Sequence, residues 1–110
     1  MAGKQGILID SMTANNVVEL GGVLVDVRSA EEHAVNGVKR SVNIPYDIIA
    51  MGIEKVLPSK ARQIVLYSNA GVRSTKAAQK LAEMGYACVC KLPDLVEAAE
   101  ISHYQTRKCG

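Results

Sequence analysis

The sequence contains no phenylalanine and no tryptophan, and its four tyrosines are the only aromatics in 110 residues. Aliphatic side chains must therefore fill the core, and a nucleic-acid surface of interleaved basic and aromatic residues is disfavoured. No apolar run approaches the roughly 20 residues that a membrane-spanning helix requires. Ile7-Leu8-Ile9 is the only apolar run near the N-terminus, which is too short for the core of a secretory signal. A soluble, cytoplasmic chain without membrane attachment is the expectation. The three cysteines, Cys88, Cys90 and Cys109, are odd in number and crowded towards the C-terminus, a poor basis for a disulfide framework. On a strand, Cys88 and Cys90 share one face and read as small buried hydrophobes, while Cys109 reads as a free thiol in a polar tail. His33 and His103 have no companions at metal-ligand spacing, so neither a metal nor another cofactor is expected.

What is present fits one domain over residues 1–110. A chain of this length can close a single core without disulfides or a structural metal. The net charge is +2, unevenly placed: residues 1–55 carry five Lys/Arg against seven Asp/Glu, and residues 56–110 carry eight against four. The basic half is the expected side for an anionic ligand. Short apolar runs alternate with helical patterns, as in an α/β domain. Ile7–Ile9 reads as a short edge strand. Ser11 reads as the cap of a helix from about Met12 to Leu20, with Gly21 as its stop. Val23–Val27 is apolar except for Asp26, which suits a strand covered on both faces. Ser29-Ala30-Glu31-Glu32 has capping-box spacing and predicts a helix start. Val42–Ile44 closed by Pro45 is a third strand, followed by a brief helix near Asp47 to Met51. Ile64–Tyr67 is a buried strand, and Ala77, Ala78, Leu81, Ala82 and Met84 fall on one face of a helix ended by Gly85. Tyr86–Cys90 is the expected last strand and Asp94–Ile101 the expected last helix, with a loosely held tail from Ser102.

Chemistry concentrates in Ser68-Asn69-Ala70-Gly71-Val72-Arg73-Ser74, between the carboxyl end of a buried strand and the next helix. Ligands of open parallel sheets bind at that end. A short glycine-containing loop entering a helix N-terminus turns several N–H groups into one concavity, with the helix dipole adding positive charge. Arg73 is expected to close over an anion held there. Ser74 serves equally well as a local backbone partner. Asp26 reads as a buried acid satisfied by backbone donors or an arginine, and Arg28 as a structural residue paired with Glu32 or another carboxylate.

Asp26-Val27-Arg28 with Glu32, Asn43-Ile44-Pro45, Val65-Leu66-Tyr67 leading to Gly71-Val72-Arg73-Ser74, Ala77-Ala78, Leu81 and Gly85-Tyr86 occur in an order and spacing that resembles the rhodanese-like sulfurtransferase family. The resemblance covers residues 23 to 86. It implies a central, mainly parallel five-stranded sheet with helices on both faces. It also implies an active-site loop whose first residue is a cysteine. That cysteine takes sulfane sulfur from a donor such as thiosulfate, carries it as a persulfide, and passes it to cyanide or a thiol. In this chain the position is Ser68, with Arg73 beside it and Asn69, Ala70, Gly71, Val72 and Ser74 as the anion-binding loop. The related phosphatases have one residue more in the loop, so a phosphatase-like site is disfavoured.

A serine hydroxyl is hardly ionised near neutral pH and an oxygen nucleophile cannot relay a persulfide, so no turnover by the family route is expected. Ser68 fits a cysteine-to-serine replacement in an otherwise intact enzyme, and equally a silent module that binds an anion or a protein partner. Two other segments also depart from the family pattern. Leu92-Pro93-Asp94-Leu95 stands in place of a Gly-Gly pair and tryptophan, and Asn36-Gly37-Val38-Lys39-Arg40-Ser41 in place of glycine-histidine and proline-glycine.

Overall fold

The structure is a computed structural model that describes residues 6–108, with side chains described as far as Tyr104. Five strands, β1 (Ile7–Leu8), β2 (Val23–Asp26), β3 (Val42–Asn43), β4 (Ile64–Tyr67) and β5 (Val89–Lys91), form one parallel sheet in the order β1-β5-β4-β2-β3. The helices are α1 (Ser11–Glu19), α2 (Ala30–Asn36), α3 (Ile49–Val56), α4 (Val72–Glu83), α5 (Leu95–Ala99) and α6 (Ile101–Lys108), with a 3-10 turn at Tyr46–Ile48 before α3. The α/β architecture expected from the sequence is the one observed.

Side chains alternate across the two central strands and divide the core in two. Val25, Ile64 and Leu66 join Ile49, Ile53, Ala77, Ala78 and Leu81 on the face covered by α3 and α4. Leu24, Val65 and Tyr67 join Ala14, Leu92, Ala98 and Ile101 on the opposite face. With both faces covered, β4 is buried at every position. That is why its sequence is a continuous apolar run.

Several boundaries differ from the sequence expectation. Asp10, rather than Ser11, caps α1: its side chain accepts from the Thr13 N–H at 2.9 Å. Ser11 is buried inside the first turn, where its N–H donates to the Glu97 carboxylate at 2.8 Å. The capping box at the start of α2 is present as expected, with the Glu32 N–H on Ser29 Oγ and the Ser29 N–H on Glu32 Oε1. The last strand begins at Val89, so Cys88 lies outside it and is exposed, while Cys90 is half-buried. Cys88 is therefore not a core residue: its carbonyl accepts from the Ile64 N–H, the sheet pairing beginning at that point. The expected last helix is two helices, and the segment expected to be loose carries α6 to Lys108, with Ile101 buried at its start. Cys109 lies outside the described residues. No helix among them is long and apolar enough to cross a membrane.

Candidate functional site

Two adjacent strands place the site. β2 and β4 lie side by side, with Asp26 opposite Tyr67 at their carboxyl ends. The chain leaves β2 towards β3 and β4 towards β5, in opposite directions across the sheet. Such a switch point opens a crevice at the carboxyl edge, and the segment 68–74 occupies it.

Gly71 stands at the N-cap of α4 with φ +90° and ψ −10°, a left-handed conformation that favours glycine. A Cβ there would sit 3.1 Å from the Pro93 carbonyl oxygen. Glycine has no side chain with which to cap the helix, and Ser68 supplies the missing oxygen. Its Oγ accepts from the N–H groups of Gly71 and Ser74, each at 3.2 Å. The Gly71 carbonyl in turn accepts from Ser74 Oγ at 3.1 Å, Thr75 Oγ1 at 2.7 Å and the Thr75 N–H at 3.0 Å. Ser68 is 1% exposed, so the first loop residue lies at the bottom of the cradle. Val72 and Arg73 provide the other first-turn N–H groups, which have no acceptor within the helix.

Beneath the loop lies a buried polar network that the sequence reading found only in part. Asp26 is fully buried and accepts from the Arg28 N–H at 2.9 Å. Its carboxylate also binds the Arg28 guanidinium at 2.9 to 3.3 Å, the Tyr67 hydroxyl at 2.9 Å and the His33 ring at 2.9 Å. Burial pushes the Asp26 carboxyl up, but these donors outweigh it and hold the group below the ordinary aspartate range. Arg28 thus pairs with Asp26, the other carboxylate, and not with Glu32. The tyrosine was missed because a terminal residue of an apolar strand reads as core; its hydroxyl also accepts from the Val38 N–H at 2.8 Å.

Arg28 continues the network outward. Its guanidinium donates to Asn36 Oδ1 at 2.8 Å and to Asn69 Oδ1 at 3.1 Å. The Asn69 amide nitrogen donates to Glu32 Oε2 at 2.9 Å. Glu32 then binds Arg73 at two points, 2.7 and 3.0 Å. The Arg73 hydrogen bonds, with the Ser29 N–H, hold the Glu32 carboxyl far below the usual carboxylate range. Arg73, expected to close over an anion, is held on the α2 side of the loop. Asn69 is the connecting residue: its side chain joins Arg28 to Glu32, and its carbonyl accepts from the Leu95 N–H at the start of α5.

Cys88 and Cys90 lie across from Ile64 and Val65, towards the opposite end of β4 from Ser68, and burial raises the Cys90 thiol pKa. Among the described residues, no group of three or more His, Cys, Asp or Glu side chains is placed to hold a metal.

Comparison with known proteins agrees with this architecture. The family model for the rhodanese-like domain matches residues 6–93. The thiosulfate sulfurtransferase PspE of Escherichia coli is 31% identical over 86 residues, 78% of this chain and 83% of that protein. Among solved structures, a rhodanese with anions from E. coli superposes with a TM-score of 0.67 at 31% identity, over 70% of this chain and 91% of that one. The reduced Bacillus anthracis CoADR-RHD superposes with a TM-score of 0.73 at 27% identity, over 91% of this chain but 17% of that much longer one. The human single-domain sulfurtransferase TSTD1, at 20% identity and a TM-score of 0.70, shares the fold over 89% of this chain and 97% of its own. On the family match and the PspE identity together, the chain belongs to the rhodanese-like domain family.

Proposed function

We propose that this chain is a rhodanese-type sulfurtransferase scaffold whose loop binds a small sulfur-containing anion such as thiosulfate, and which does not transfer sulfur with serine at position 68. The observation that carries this reading is the placement of Ser68 Oγ. The resemblance to the family assigns position 68 to the nucleophile, and the Oγ accepts the Gly71 and Ser74 N–H groups at a helix N-terminus. A sulfur atom there would receive the same two donors and the same dipole, both of which favour a thiolate. The oxygen instead acts as a helix cap. Both of its acceptor positions are engaged, and no general base is bonded to it among the described residues.

With cysteine at 68, the thiolate attacks the outer sulfur of thiosulfate, the S–S bond breaks, and sulfite leaves with the bonding pair. Cyanide or a thiolate then takes the outer sulfur from the persulfide and returns the thiolate. The relative's name as a thiosulfate sulfurtransferase supports this donor class. Arg73 would assist once the Glu32 pair opened; Asn69, Ala70, Val72 and Ser74 shape the cradle, and Asp26, Arg28 and Glu32 hold it. Thiocyanate formation from thiosulfate and cyanide by Ser68→Cys, beside an inactive unmodified chain, is the test. An inactive, folded Ser68→Cys protein contradicts the scaffold reading.

A second reading rests on the Glu32–Arg73 pair, which neutralises the loop's arginine. It makes the chain a silent binding or regulatory module for an anion or a protein partner. Measurable thiosulfate binding by the unmodified chain, with no gain of turnover in Ser68→Cys, would favour it.

A further inference from the structure

On the other flank of the loop from the Glu32–Arg73 pair, a groove of about 580 Å³ opens along the loop, lined in part by Ala70, Gly71 and Val72 of the loop itself. Leu8, Val72 and Pro93 give it apolar walls, and Thr75, Lys76 and Lys91 its polar side. None of Ser68, Arg73 and Ser74 lines it; Arg73 borders a separate hollow with Tyr46 and Ile48. Leu8 and Val72 are 61% and 63% exposed, so two of the apolar walls are largely open to solvent.

The charge of the groove has one sign. Its lining holds two lysines and no carboxylate. Lys91 is half-buried, and its ammonium donates to Thr75 Oγ1 at 2.9 Å. Lys76 turns its ammonium over the Tyr46 ring, 5.8 Å from the centroid, and leaves its alkyl stem to the groove. Among the described residues neither lysine forms an ion pair. An ammonium offers three donors, and the bond to Thr75 engages one of those of Lys91.

We propose that this groove binds a small amphipathic carboxylate, with its carboxylate at Lys91 and its aliphatic chain along Leu8, Val72 and Pro93. The volume lies within the range of roughly 300–1,000 Å³ usual for small-molecule sites. An inorganic anion would leave the apolar walls unused, and a hydrocarbon without a charge would leave the Lys91 donors unused.

The test is an amide NMR titration with hexanoate, octanoate and decanoate, each kept below its micelle-forming concentration, with octylamine and octanol as controls. The expected result is a shift centred on the Leu8, Lys91 and Leu92 signals, with affinity rising about two- to fourfold per methylene. Octylamine is expected not to bind. Lys91→Met, which keeps an unbranched stem, should weaken octanoate about tenfold. Leu8→Glu, an exposed change that places a carboxylate at the groove, should weaken it as well and serves as a second variant if Lys91→Met does not fold. Absence of these shifts overturns the proposal. So does equal binding of octanol, or octanoate shifts centred on Arg73 and Ser74. Occupation of the groove by an acidic peptide while octanoate leaves it untouched assigns it to a macromolecular partner and also overturns the proposal.

Discussion

The Glu32 carboxylate holds the Arg73 guanidinium at two points, 2.7 and 3.0 Å, across the mouth of a loop whose N–H groups are turned inward. The same carboxylate also accepts from Asn69 and from the Ser29 N–H. One acid thereby caps α2, fixes the second residue of the loop and restrains the loop's only arginine.

Replacing Glu32 by glutamine separates these duties, because glutamine preserves a capping box while removing the charge. Glu32→Gln should release Arg73 towards a bound anion. Thiosulfate affinity, read by calorimetric titration, is expected to rise about three- to tenfold, equivalent to about 1 kcal/mol for a partly exposed pair. Unchanged or weaker binding would show that the pair does not restrain the arginine against ligand.

Removing the Asp26 charge attacks the support beneath the loop. Asp26→Asn leaves the Arg28 guanidinium buried without its counter-ion, and urea unfolding should show a loss of about 3 kcal/mol. The Asp26 and Glu32 carboxyls both titrate below their ordinary range in the folded chain. The unfolded chain therefore binds more protons through that range. The stability these groups contribute is complete above the unfolded carboxylate values and is lost as the pH falls below about 5. A urea midpoint that does not fall between pH 6 and pH 3 would contradict this sign, and Asp26→Asn should flatten the acid limb.

Gly71→Ala tests the cradle without altering a charge. The left-handed φ of +90° and the Pro93 carbonyl 3.1 Å from the new Cβ should together cost about 1–2 kcal/mol in thermal or urea unfolding. Thiosulfate binding should weaken in parallel, since Gly71 supplies one N–H of the cradle. Wild-type stability with wild-type binding would mean that the loop does not depend on this conformation.

The parts of the site legible in the sequence were those fixed by local rules. Ser29 and Glu32 announce a helix start by spacing alone. The run Ile64–Tyr67 announces a strand covered on both faces, and the glycine loop announces a cradle beyond it. What escaped depends on contacts between distant segments. Asp10 and Ser11 are neighbouring oxygen-bearing residues; Asp10 takes the cap, and the Ser11 N–H goes to Glu97, 86 positions away. Cys88 and Cys90 look alike in sequence, but β5 begins between them at Val89. The Tyr67 hydroxyl and the Asn69 amide gain their roles from Asp26, Val38, Arg28 and Glu32, between 29 and 41 positions away. No periodicity carries that information.

In the proposed scaffold, residue 68 lies in an intact sulfur-accepting cradle and oxygen in place of sulfur blocks transfer. This is tested most directly by mass spectrometry of the Ser68→Cys protein after incubation with thiosulfate and removal of excess reagent. The peptide containing residue 68 is expected to gain the mass of one sulfur atom, cyanide to remove it as thiocyanate, and Cys88 and Cys90 to remain unmodified. A folded Ser68→Cys protein that binds thiosulfate yet never acquires sulfur at position 68 would contradict the proposed scaffold.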